Sequence, residues 1–198
     1  MPRTVPSDGR FFGKDGNAVD VTALVQGWTE SLTKYIGQID SDHAYIHEGL
    51  AFTYITSQTI SEAYRVSFTT PSVASDKIIH WRPTGITSSA NYVQVTLYEN
   101  TVYASGADVV PFNRNRNSAK TTELQALALG TTRSGGDIIQ VKGVGTSGNP
   151  QARSGGGTFA SEELMLKPNT NYTLELVPAG VTSVVLELFW YEELNGAV

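Results

Sequence analysis

The chain has 198 residues, of which 40% are hydrophobic and 17% charged, enough apolar material for one sizeable domain and the reverse of a disordered composition. Its net charge of −5 leaves no general basic footprint for nucleic acid. Cysteine is absent, which excludes disulfides, thiolate metal sites and cysteine nucleophiles.

The first 19 residues read as an extended arm. Pro2, Pro6, Gly9, Gly13 and Gly16 punctuate it, and Phe11 and Phe12 are its candidate apolar anchors for docking. It has no apolar leader core, and the longest apolar stretches of the chain are of strand length, short of the roughly 20 residues a spanning helix needs. No membrane contact is expected.

Over residues 20–40 the period changes. Val21, Val25, Trp28, Leu32, Tyr35 and Ile39 alternate spacings of four and three, which predicts an amphipathic helix with Asp20 as its N-cap. The seam fits packing on the chain's own domain or a short bundle between identical subunits. His43 and His47 lie at the helix exit, where Gly49 ends the pattern, and Ala44 stands where a zinc-binding HExxH motif would need glutamate. They read as ordinary surface or packing histidines. No metal or other cofactor is expected.

From residue 50 the period is two. Strands are predicted at 51–56, 63–69, 77–82, 92–98, 123–129, 138–141, 163–166, 172–177 and 183–191, separated by proline, glycine and asparagine turns. Tyr92 to Tyr98 is the clearest, with Val93, Val95 and Leu97 on one face. The series predicts a mostly β fold, an antiparallel sandwich or barrel, with no alternation of strand and helix that would suit a parallel sheet. Residues 143–157 read as a glycine-rich surface loop without the lysine and helix of a phosphate-binding loop.

Few residues invite chemistry. Glu162-Glu163 and Glu192-Glu193 diverge on strands and read as solvated strand ends, and no serine sits in a nucleophile elbow. No enzymatic activity is expected. Asn113-Arg114-Asn115-Arg116-Asn117 is unusual: in an extended segment Arg114 and Arg116 share one face and the asparagines the other. It reads as a polar turn between strands, or as guanidinium forks that bind carboxylates across a subunit contact.

Five segments, in order, carry a resemblance: HAYIHEGLAF from His43, VTLYEN from Val95, PFNRNRNS from Pro111, LMLKPNTNY from Leu164 and LELFWYE from Leu186. Together they resemble jelly-roll proteins of tailed-bacteriophage virions, the capsid decoration (cement, or head auxiliary) proteins that assemble as trimers. The resemblance spans residues 43–198. It implies a jelly-roll β-sandwich there, behind an N-terminal arm and short helix at 1–42 that serve attachment or oligomer contact. It further implies a non-catalytic homotrimer on the virion surface that binds the major capsid protein. On this expectation Phe11, Phe12, Val21, Val25, Trp28, Leu32, Tyr35, Ile39, Arg114 and Arg116 are candidates for capsid or subunit contacts. A head-fibre, tail-appendage or carbohydrate-binding sandwich is the competing expectation, with Trp81, Tyr92 and Tyr103 as its exposed platform.

Overall fold

The computed structural model describes residues 11–12, 18–19, 41–82, 86–145 and 163–194. The chain divides into two compact units, residues 1–44 and 45–198. In the first, β1 (Phe11–Phe12) pairs antiparallel with β2 (Ala18–Val19), a ladder that the arm-like sequence did not announce. Val21, Val25, Trp28, Leu32, Tyr35 and Ile39 lie outside the described residues, and so does most of the glycine-rich segment. Gly143 and Val144, read as the start of that loop, continue a strand.

The helix Ser41–Glu48 ends as its sequence demands. Gly49 has φ +70°; its N–H donates to Ile46 O and the Leu50 N–H to Tyr45 O, the paired bonds of a Schellman stop. A Cβ at Gly49 would also collide with the Ser118 side chain.

Among the described residues fourteen strands follow: β3 (Ala51–Ile60), β4 (Tyr64–Thr69), β5 (Lys77–Arg82), β6 (Ile86–Ser88), β7 (Val93–Glu99), β8 (Val102–Ala104), β9 (Ala107–Asp108), β10 (Phe112–Asn113), β11 (Gln125–Leu129), β12 (Thr132–Ser134), β13 (Asp137–Val144), β14 (Leu164–Met165), β15 (Asn171–Pro178) and β16 (Thr182–Leu194). They form an antiparallel β-sandwich. One sheet runs β10-β3-β16-β5-β14, with β6 also on β16; the other runs β13-β7-β15-β4-β11-β9. A separate ribbon pairs β8 with β12. We name the sheets after their central strands, β16 and β15.

Alternation decides which side chains meet between the sheets. On β16, Val184, Leu186, Leu188 and Trp190 are buried, while Val185, Glu187 and Phe189 face the other way. On β7, Val93, Val95 and Leu97 are buried, as their spacing predicts. Across the core the rings of Phe52, Trp190, Trp81, Phe68 and Tyr172 follow one another, with centroids 6.1, 6.1, 4.7 and 5.5 Å apart. Phe52, Trp190 and Trp81 belong to the β16 sheet, and Phe68 and Tyr172 to the β15 sheet. The stack therefore joins the two layers.

Polar groups anchor its far end. The Tyr172 hydroxyl donates to Glu99 Oε2 at 2.8 Å and accepts the Lys167 backbone N–H at 2.9 Å, while Lys167 Nζ donates to Glu99 Oε1 at 2.6 Å. Burial, and then the bond to Glu99, push the Tyr172 hydroxyl well above its ordinary pKa.

Glu192 corrects the reading of solvated strand ends: it is 0% exposed. It points inward at the end of β16 and is met there by three donors. Thr122 Oγ1 donates to it at 2.5 Å, the Glu123 N–H at 2.8 Å and Lys77 Nζ at 3.3 Å. Trp190 Nε1 donates to the same Thr122 hydroxyl at 3.1 Å, so the network is tied to the core.

Phe68 touches both halves of the ring stack. Phe68→Ala is expected to lower unfolding free energy by about 3–5 kcal/mol in urea titration, the usual cost of an aromatic cavity. A loss below about 1 kcal/mol would mean that the stack does not hold the layers together.

Candidate docking face

The outer faces of the two sheets differ. Over the β15 sheet lies the β8–β12 ribbon. Beneath it Ser67, Thr101, Thr131 and Thr173 are buried and joined hydroxyl to hydroxyl at 2.7–3.0 Å. Tyr103 of the ribbon bonds Thr69. Arg133 lies over the Tyr98 ring at 3.6 Å and pairs with Glu175, which Arg65 also holds at 2.5 Å. Each side chain named here has a polar partner within the fold, with only Arg133 Nε left without one.

The outer face of the β16 sheet presents side chains instead. Strand register sets them in rows. Phe112 of β10 lies opposite Thr53 of β3, Thr53 opposite Phe189 of β16, and Phe189 opposite Arg82 of β5. Phe112 is 51% exposed, and Ile55 and Val185, on the same face, are 53% and 43% exposed. Arg114 lies over the Phe189 ring, 4.7 Å from its centroid, and Arg116 over the Phe112 ring at 5.3 Å. Thr53, Phe112, Asn113, Arg114 and Arg116 line a shallow depression.

The segment that carries these arginines is held by its asparagines. Asn113 Nδ2 donates to Gly49 O at 2.9 Å and to Lys120 O at 3.0 Å. Asn115 Nδ2 donates to His47 O at 3.0 Å, and Lys120 Nζ to Glu48 O at 2.9 Å. The His47 and Glu48 carbonyls are ones that the end of a helix leaves without intrahelical donors. Asn113 Oδ1 accepts the Asn115 N–H and Asn115 Oδ1 the Asn117 N–H, two successive Asx turns. The segment thus bends after β10 instead of running extended. The alternation survives: Arg114 and Arg116 are exposed, and Asn113 and Asn115 half-buried.

The next row holds a polar cluster that sequence reasoning missed. His80 Nδ1 is 2.6 Å from Glu163 Oε1, and His80 Nε2 lies 2.9 Å from Glu193 Oε2 without the alignment of a hydrogen bond. The imidazole stacks on Tyr191 at 4.5 Å, and Tyr45 stacks on Tyr191 at 4.2 Å. Glu163 also accepts Tyr191 Oη–H at 2.5 Å and Arg82 Nε–H at 3.1 Å. Burial pushes the Glu163 carboxyl up, but the bonds from Tyr191, His80 and Arg82 outweigh it and hold the group below its usual range. Burial, with the bond to Glu193, pushes the Tyr45 hydroxyl up to about 12. Only strand register, β16 against β5 and β5 against β14, assembles this group. His43 and His47 stand exposed on the helix.

Comparison with protein-family models, curated proteins and solved structures finds no match. The geometry alone therefore carries the functional argument. It offers an open sheet face with exposed apolar side chains and two ring-stacked guanidiniums, a surface suited to docking.

Asn113→Ala removes two bonds, to the Gly49 and Lys120 carbonyls, and one Asx turn. It is expected to cost about 1–2 kcal/mol in urea titration, and an unchanged midpoint would show that the helix end does not depend on it.

The carboxyls of Glu123, Glu163 and Glu175 are all held below their ordinary range. For Glu123 the largest cause is the Ser75 bond; for Glu175, Arg65 and Arg133 outweigh burial. Their contribution is complete above the unfolded carboxylate pKa, about 4.3, and is lost as pH falls through the lower folded values. At the alkaline end, Tyr45 contributes fully below its unfolded pKa, about 10, and loses that contribution as pH rises toward about 12. Unfolding free energy is therefore expected to be level from about pH 5 to 9 and to fall on both sides. Glu163→Gln should flatten the acid limb; an identical limb in that variant would count against the assignment.

Proposed function

We propose that this chain is a structural virion protein, a jelly-roll decoration subunit that binds the outside of a bacteriophage capsid as a homotrimer and braces it. Strand order supports the jelly-roll reading. With β6, β10, β11 and β9 set aside as additions, β3, β4, β5, β7, β13, β14, β15 and β16 lie as first-eighth-third-sixth in one sheet and second-seventh-fourth-fifth in the other. Two interlocked Greek keys generate that order, and viral capsid proteins are common hosts of it.

Fold alone does not give function. The observation that carries the reading is the part of the outer face of the β16 sheet where, among the described residues, Ile55, Phe112 and Val185 are exposed beside Arg114 and Arg116. A broad, nearly flat face of this kind meets another protein surface better than it encloses a small molecule. Repeated around a trimer, even a weak contact gains avidity. The glycan-binding alternative keeps only part of its platform: Tyr92 is 36% exposed, but Trp81 is 1% exposed inside the ring stack and the Tyr103 hydroxyl is bonded to Thr69.

Two measurements test this. Light scattering of the purified chain over a concentration range is expected to give a trimer mass. Co-sedimentation with heads stripped of their outer proteins is expected to be saturable, and weakened by deletion of residues 1–19 if Phe11 and Phe12 contribute. A chain that never exceeds a monomer and never sediments with heads rejects the proposal.

A further inference from the structure

The geometry points to Arg114 and Arg116 as a carboxylate-reading pair, and we infer that the partner surface they meet is an acidic protein strip. The inference rests on the docking reading above and deepens it.

Five arginines lie among the described residues. Arg65 and Arg133 pair with Glu175, and Arg82 with Glu163. Arg114 and Arg116 are exposed, and among the described residues no carboxylate pairs with either. Each instead lays its guanidinium over a phenylalanine ring. A guanidinium placed over a ring does not spend its N–H groups on that ring, and these are the part that matches a carboxylate bidentately. The backbone beneath them is fixed by Asn113 and Asn115 on the helix end. Both guanidiniums are therefore offered from a backbone fixed before any partner arrives, which reduces part of the ordering cost of binding.

The surroundings choose between anions. A free phosphate would contact the guanidiniums and gain nothing from exposed Phe112, Ile55 and Val185. A nucleic acid needs a wider basic field than two arginines on a chain of net charge −5. A protein strip carrying carboxylates among apolar side chains satisfies the arginines and the apolar residues together.

The test uses the full chain, labelled with nitrogen-15, with hexaglutamate as the probe and the arginine Nε–Hε resonances as the readout. Hexaglutamate is expected to shift the Arg114 and Arg116 signals saturably at low salt, to leave those of Arg65 and Arg133 in place, and to bind about tenfold more weakly at high salt. The double variant Arg114→Lys/Arg116→Lys keeps both charges and loses the forks; its affinity should fall at least about fivefold. Unmoved Arg114 and Arg116 signals, equal binding by the lysine variant, or equal shifts with inorganic phosphate or oligothymidylate would each overturn the inference. Stripped heads separate it from its premise. Heads that bind wild type and lysine variant alike sustain docking and overturn the carboxylate pair. Heads that bind neither overturn docking, and the hexaglutamate titration still decides the arginine chemistry.

Discussion

Everything on the outer face depends on the stack of rings inside. Trp190 and Trp81 come from neighbouring strands of one sheet, and Phe68 and Tyr172 from neighbouring strands of the other. With Trp190 committed inward, a strand's period of two sends Phe189 and Tyr191 outward with no further choice. A slip of one residue in β16 would turn Phe189, Tyr191 and Glu193 toward the space between the sheets and both the tryptophan and Glu192 away from it. The core thus sets the register, and the register sets the surface.

The two sheets use their outer faces differently, and the difference follows from where short strands are placed. β8 and β12 fold back over the β15 sheet and convert its outer face into a second, polar interior of hydroxyls and one glutamate held by two arginines. β10 adds to the edge of the β16 sheet instead, and so widens its face without covering it. At the sheet's end, Glu192 gathers Thr122, Glu123 and Lys77 and draws the segment after the arginine turn against the core. A buried carboxylate is tolerable there only because donors meet both of its oxygens.

The long strands were legible because burial on one face imposes a visible alternation: Val93, Val95 and Leu97 read correctly, and so did the helix stop at Gly49. β6, β8, β9, β10 and β12 were not, since two or three residues cannot show a period. Glu192 was misread because its neighbour Glu193 does face outward, and an acidic pair near a chain end looks solvated. The His80 cluster joins residues 83 and 113 positions apart, which no local pattern encodes. Arg114 and Arg116 stood out by composition, but their ring partners did not; Phe189 lies far along the chain and reaches Arg114 only through the pairing of β16, β3 and β10.

Within Asn113 to Asn117 the two residue types have separable tasks. The asparagines supply side-chain amides to helix carbonyls and side-chain oxygens to turn N–H groups, and few other residues can do both. The fold therefore accounts for them. It does not account for the arginines in the same way. An exposed cation–π contact is worth about 0.5–1 kcal/mol, and against it stands the ordering of two of the most flexible side chains, at up to about 2 kcal/mol each. As stability devices the stacked arginines roughly break even or lose. Their arrangement makes physical sense when the guanidinium N–H groups, beside exposed Phe112, Ile55 and Val185, meet something beyond the chain.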